Sequence, residues 1–189
     1  MAYCNNQVFK KLLKHHIGLG GLIAYPTEAV WGLGCDPFNE SALLQLLHLK
    51  QRPWHKGLIL VTGDVNHVQR HLAALPSEAE SLCRSLWPGH FTCLLPDIDE
   101  AFSPLLKGRH EKIAIRVSQH PFIQWYSRHI SPFLVSTSAN IAGKSPVRYS
   151  WQAHHHFKND IGLVVPGKTL GELRPSTLID PISQVKLRQ

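Results

Sequence analysis

What the 189-residue chain lacks narrows its chemistry before any element is assigned. It contains no G-x-x-x-x-G-K-[ST] run, which excludes a P-loop, and its glycines at 18, 20 and 21 precede an apolar strand where a dinucleotide fingerprint would follow one. No C-x-x-C pair occurs. Cys4, Cys35, Cys83 and Cys93 stand far apart, which argues against a zinc ribbon or a dense disulfide framework and for reduced, partly buried thiols. There is no G-x-S-x-G and no cysteine–histidine constellation of the kind hydrolases use. No apolar run approaches the roughly 18 residues a membrane helix needs, and the leading segment, with Lys10, Lys11 and Lys14, lacks a signal-peptide core. A cytoplasmic protein without membrane contact is expected. Repeats, low-complexity stretches and long linkers are also missing, so residues 1–189 are expected to form one domain.

Acidic residues are few as well: 13 Asp and Glu against 20 Lys and Arg leave a net charge of +7, which favours phosphate-rich partners. Aromatics make up only 8%, and neither an RNP-type motif nor a KH loop is present, so base-stacking RNA recognition has little to work with. What is present is a globular composition, 43% hydrophobic and 17% charged.

Val8, Phe9, Leu12, Leu13 and Ile17 recur at helical spacing, and the glycines after them end that helix before the buried strand 22–25. Asn39 is placed to cap a leucine-rich helix that stops at Pro53, and 58–61 reads as the next strand. Asp64 and Ser77 are candidate caps for two more helices. Strands follow at 91–95, 112–117 and 133–136, with a helix opened by Pro121 between the last two. A helix near 151–157 and extended pieces at 161–165 and 176–180 complete the order. Interleaved helices and strands with hairpin-like runs predict an α/β (α+β) fold on a mixed sheet.

Three cations, Lys50, Arg52 and Lys56, fall within seven residues around Pro53. The end of a helix favours cations and explains one or two of them, but not all three. Arginine grips phosphate bidentately and lysine adds a point charge, a mixture that suits a triphosphate. Ser136, Thr137, Ser138 and Asn140 leave a strand end in a loop, where hydroxyls and amides bond phosphate or carboxylate oxygens, or simply their own backbone. Thr27 and Glu28 follow Pro26 at a strand mouth, and Gly32 and Gly34 permit close backbone approach in the next loop. Arg116 interrupts the apolar strand 113–117, so it needs a partner, a ligand or a solvent-facing position. His67 with His71, and the run His154–His156, lack accompanying carboxylate or thiolate ligands and read as surface histidines.

Taken together, Tyr25-Pro-Thr-Glu-Ala-Val-Trp-Gly-Leu-Gly-Cys-Asp36, Leu49-Lys-Gln-Arg-Pro53 with Lys56-Gly-Leu-Ile-Leu60, Trp87-Pro-Gly89, Ala114-Ile-Arg-Val117 and Ser136-Thr-Ser-Ala-Asn140 resemble the YrdC/TsaC family in order and spacing over nearly the whole chain. The resemblance is to the short form without a C-terminal extra domain. It implies a YrdC-like fold, a twisted mixed sheet flanked by helices around a large, positively charged concave cavity. Its K-x-R and S-x-N signatures fall on Lys50, Arg52, Ser138 and Asn140, followed by Lys56. It further implies that Thr27 lies where threonine is held, that Arg116 lines the cavity, and that Arg174 and Ser176 belong to a wall near the C-terminus. His90 is a local difference, standing where a small residue or proline is more usual.

The same resemblance implies a nucleotidyltransferase that makes threonylcarbamoyl-AMP from L-threonine, bicarbonate and ATP and releases pyrophosphate. The product would feed threonylcarbamoylation of adenosine 37 in tRNAs reading ANN codons, through a partner transferase. An attacking carbamate and a triphosphate are both anions, so Lys50, Arg52, Lys56 and Mg²⁺ would offset their repulsion while Ser136, Ser138 and Asn140 orient oxygens. Positioning and charge compensation would supply the rate without a covalent nucleophile. The rival reading is a non-catalytic binder of structured, double-stranded RNA, and direct contact with tRNA stays open in either case. A carbamoyl-transfer module of a larger hydrogenase-maturation protein is disfavoured by the missing zinc-finger cysteines.

Overall fold

The computed structural model describes residues 6–157 and 159–188, so Cys4 lies outside the described residues. The first helix, α1 (Gln7–Gly18), starts at Asn6, whose side-chain oxygen accepts from the Phe9 N–H, and it buries Leu13 and Ile17. A hairpin follows, β1 (Ile23–Pro26) and β2 (Trp31–Gly34), and then α2 (Glu40–Leu49), capped by Asn39 as its sequence predicts. β3 (Ile59–Thr62), α3 (Gln69–Ala73), α4 (Ser77–Leu86) and β4 (Phe91–Pro96) come next. α5 (Pro104–Lys107), β5 (Lys112–Val117), α6 (Pro121–His129) and β6 (Leu134–Ser138) precede α7 (Ser150–Phe157). Three short strands, β7 (Leu163–Val164), β8 (Thr177–Ile179) and β9 (Lys186–Arg188), end the order. Among the described residues no helix is long and apolar enough to cross a membrane.

The strands join in the order β7-β1-β2-β6-β3-β5-β4-β8-β9. β1–β7, β3–β5 and β4–β8 run parallel and the other pairs antiparallel, the mixed sheet expected from the interleaved pattern. Both faces are covered. Leu13, Ile17, Tyr25, Phe122 and Tyr126 pack under α1 and α6 on one side, and Leu43, Leu46, Leu72, Cys83 and Phe157 belong to the larger cluster on the other.

Several elements differ from the sequence reading. Gly32 and Gly34 are not in a loop but in β2, paired with Tyr25 and Ile23. Their lack of a side chain still has a steric cause. A Cβ on Gly32 would stand 3.1 Å from the Tyr25 ring, and one on Gly34 would stand 2.2 Å from the Val135 carbonyl oxygen. Gly34→Ala is therefore expected to lower the unfolding free energy by at least about 1–3 kcal/mol, read by urea titration, because backbone cannot yield as a side-chain tip does. The strand expected at 133–136 is β6 and continues through Thr137 and Ser138, which pair with β2, so that of the four polar residues Asn140 lies beyond it. Ser77 is the first helical residue and Pro76 takes the cap position, without a side-chain bond. His71 is buried, with Nδ1 2.9 Å from the Pro96 carbonyl, so it is no surface histidine, whereas His154, His155 and His156 are exposed.

Register places the site. Val61 is paired with Leu134 on one side and Arg116 on the other, and Ile59 with Ser136, so these side chains share one sheet face. Val61 and Leu134 are covered by the α1 and α6 layer. One step along the same face, that layer ends and a cavity begins.

Candidate active site

The cavity holds about 400 Å³. Arg52, Arg116, Arg148 and Arg174 are among its lining residues, together with Thr27, Ser136, Ser138 and Ser176, and no carboxylate is among them. A chamber of about 50 Å³ continues inward, sharing Thr27, Arg116, Ser136 and Ser176 and adding Glu28 and Ser118. An outer recess of about 540 Å³ meets the cavity at His90, Leu173, Arg174 and Pro175. Four guanidinium groups and a set of hydroxyls suit an anionic ligand carrying several oxygens.

Arg116 is 8% exposed and its charge has a partner, so the solvent-facing alternative is overturned. Its Nη2 stands 2.9 Å from Glu28 Oε1, which also accepts from the Ser118 hydroxyl at 2.7 Å. Nε donates to the Gly89 carbonyl at 2.9 Å. Burial pulls the guanidinium below its ordinary pKa while Glu28 opposes that shift, and arginine stays charged throughout. Glu28, 2% exposed, was visible as half of a polar pair at a strand mouth, but its role needed Arg116 brought across from β5. Ser118 carried no local signal.

The three clustered cations part company. Lys50 caps α2 and is 4% exposed, and its ammonium group is taken up by backbone and amide oxygens: it donates to the Ser138 carbonyl, to the Asn140 carbonyl at 2.7 Å and to Asn140 Oδ1 at 3.1 Å. Asn140 Oδ1 also accepts from the Ser138 hydroxyl at 2.6 Å, and its amide donates to the Lys144 carbonyl. Lys50 and Asn140 thus brace the end of β6 and are not among the cavity's lining residues. Arg52 does line it, held by Nε and Nη2 bonds of 3.0 and 2.8 Å to the Gly57 carbonyl. Lys56 is exposed and outside the lining, its carbonyl 3.4 Å from Arg52 Nη2. Thr27 lines both chambers while its hydroxyl donates to the Val30 carbonyl at 2.6 Å, and Ser176 bonds the Thr92 hydroxyl at 2.8 Å.

Burial, reinforced by nearby Arg52, pulls Lys50 down to about 8 from 10.5. A lysine depressed in the folded state contributes stability that is full above about 10.5, declines as pH falls, and is gone below about 8. The unfolding free energy of the wild type relative to Lys50→Met is accordingly expected to rise by about 1–2 kcal/mol between pH 7.5 and 9.5. Urea titrations of both proteins at the two pH values test this, and parallel behaviour would contradict it.

No group of three or more His, Cys, Asp or Glu side chains able to hold a metal ion occurs among the described residues. Cys35, Cys83 and Cys93 are buried free thiols, as expected.

A model of the Sua5/YciO/YrdC family, described as "Telomere recombination", matches residues 15–189. The chain is 44% identical over 177 residues to the threonylcarbamoyl-AMP synthase of Marinobacter nauticus, covering 94% of this chain and 93% of that protein. It is 43% identical over 170 residues to the enzyme of the same name from Hahella chejuensis, covering 90% and 92%. Among solved structures, P. abyssi Sua5 complexed with L-threonine is similar with a TM-score of 0.80 and 28% identity over 93% of this chain. The chain spans only 51% of that longer protein. E. coli YciO matches in fold, with a TM-score of 0.81 at 20% identity over 97% of this chain and 92% of that one.

Proposed function

Since the chain belongs to the Sua5/YciO/YrdC family, we propose that it is a threonylcarbamoyl-AMP synthase, forming threonylcarbamoyl-AMP and pyrophosphate from L-threonine, bicarbonate and ATP. The observation that carries this reading is the arginine-lined cavity joined to a small polar chamber, in a chain 44% identical to a synthase of that name. A structural relative binds L-threonine. The alternative of a non-catalytic RNA binder explains the net charge but not an inner chamber built around Thr27, Ser118 and a buried Glu28–Arg116 pair.

In this proposal the nucleotide phosphates lie against Arg52, Arg148 and Arg174, and threonine lies inward, toward Thr27, Ser136, Ser176 and Arg116. The neutral threonine amine attacks the carbon of bicarbonate: an N–C bond forms, one C–O bond breaks, and the departing hydroxyl leaves as water with a proton from the nitrogen, which gives the carbamate. A carbamate oxygen then attacks the α-phosphorus in line, a P–O bond to it forms, and the bond to the β-phosphate bridging oxygen breaks with its electron pair leaving on pyrophosphate. Positive charge fixed before the reaction lowers the cost of bringing two anions together and stabilises the leaving group. Lys50 and Asn140 act indirectly, by holding the end of β6 so that Ser136 and Ser138 keep their places. The cavity's donors do not fit a protein-held Mg²⁺, since its lining offers arginines and hydroxyls and no carboxylate. Mg²⁺ is proposed to enter as part of the nucleotide substrate, on phosphate oxygens. Use of the product by a tRNA-modifying transferase belongs to the same proposal.

Pyrophosphate release from ATP, measured with and without L-threonine and bicarbonate and with L-serine or L-valine in place of threonine, tests the reading. Strict dependence on both co-substrates is expected. Folded protein with no release above background would favour the RNA binder.

A further inference from the structure

His90 sits where three features meet: it lines the cavity and the outer recess and contacts the extended segment 167–175, part of which lines both. This segment is a strap: Leu170 to Pro175 line the outer recess, and Leu173, Arg174 and Pro175 also line the cavity. Leu170 N donates to the Thr27 carbonyl at 3.3 Å and Glu172 N to the Glu28 carbonyl at 2.9 Å. Gly171, at φ 87°, lets the strap turn between those two contacts.

The ring's two nitrogens have different neighbours. Nε2 lies 2.7 Å from the Arg174 carbonyl oxygen, which only accepts, so Nε2 carries the proton. In the neutral ring Nδ1 is then bare, and it lies 3.3 Å from Nη2 of Arg116, which only donates. Both contacts select the same tautomer. A continuous chain results, from Glu28 through Arg116 and His90 to the strap backbone. The charged groups around the ring are Arg116 on β5, with Glu28 behind it, Glu172 and Arg174 on the strap, and Lys186 on β9.

We propose that His90 is a positioning residue that ties the buried Arg116 guanidinium to the strap, so that the cavity's inner cation and its outer wall are set together. A substrate anion that engages Arg116 is thereby sensed at the strap, and a ligand moving the strap alters Arg116. The kinetic part rests on the synthase reading; the structural part does not.

Three substitutions separate the two bonds. His90→Gln keeps an N–H donor within reach of the Arg174 carbonyl but lacks the acceptor for Arg116. His90→Asn keeps an acceptor near the Nδ1 position without reaching the strap, and His90→Ala loses both. Limited trypsin cleavage after Lys168 is expected to be about tenfold faster than wild type in the Asn and Ala variants and unchanged in Gln. The kcat/KM for pyrophosphate release is expected to fall about tenfold in Gln and Ala, through KM more than kcat, with rescue by Asn. Ring ¹⁵N shifts of His90 should report the Nε2–H tautomer. Equal cleavage and kinetics in all variants, or the Nδ1–H tautomer, would overturn the proposal. A wild type that releases no threonine-dependent pyrophosphate would sink the synthase reading, while cleavage and the tautomer would still decide what His90 does.

Discussion

Arg116→Met is expected to lower the unfolding free energy by about 3–5 kcal/mol and to abolish most pyrophosphate release, a loss of on the order of 10²-fold or more. The two losses have separate causes. Removing the guanidinium leaves Glu28, 2% exposed, as a buried carboxylate that accepts from the Ser118 hydroxyl but has lost its ion-pair partner, and an uncompensated buried charge is costly. It also frees the Gly89 carbonyl, to which Arg116 Nε donates, and so loosens the turn carrying His90. The catalytic loss comes from removing the cation shared by the cavity and the inner chamber. A double variant, Glu28→Gln with Arg116→Met, separates them, because Gln is neutral and still accepts from Ser118. Stability should return most of the way while turnover stays low. Recovery of both would mean that Arg116 matters only as a counter-ion, and recovery of neither would point to damage elsewhere in the turn.

For Arg52→Ala the expected cost is about 10²-fold in turnover, with stability lowered by no more than about 1–2 kcal/mol. Arg52 is half-buried, belongs to the cavity lining, and is held in place by two bonds to the Gly57 carbonyl. Gly57 itself is at φ 61°, with Leu106 and Lys107 backbone against the site a Cβ would take, so the turn that anchors Arg52 depends on glycine. Arg52→Lys should recover little, because a point ammonium cannot reproduce a planar group that bonds one carbonyl through two nitrogens. Lys56→Ala should have a clearly smaller effect than Arg52→Ala, since Lys56 is exposed and outside the cavity lining. Initial rates of pyrophosphate release, set beside thermal melts, check the ranking; an equal or larger loss in Lys56→Ala would return Lys56 to the centre of the chemistry.

Much of this was legible in the chain, for reasons that differ by residue. Asn39 and Pro121 act through neighbours three or fewer positions away, so their helix starts could be read from order alone. The mixed sheet followed from interleaved apolar runs. The glycines of β2 were misplaced because local sequence shows what glycine permits, and the need for it came from Tyr25 and Val135 across the sheet. The strand expected to end at Ser136 runs on to Ser138, because a hydroxyl-rich strand end looks like a turn until β2 is seen to pair with Thr137 and Ser138. His71 looked like a surface residue because its partner, the Pro96 carbonyl, is 25 positions away.

Residue types and their order were enough to assign the α/β class, the anionic character of the ligand and the short segments that bear on it, because cation content, hydrophobic period and capping are properties of neighbours along the chain. Which cation faces the cavity was decided only by the tertiary structure. Lys50, Arg52 and Lys56 lie within seven residues, yet one is buried against carbonyls 88 and 90 positions away, one is in the wall and one is in solvent. The pairing of Glu28 with Arg116 and the position of His90 between Arg116 and the strap have the same origin. Electrostatic work depends on distance and burial, and both are set by sheet register between strands that the sequence keeps far apart.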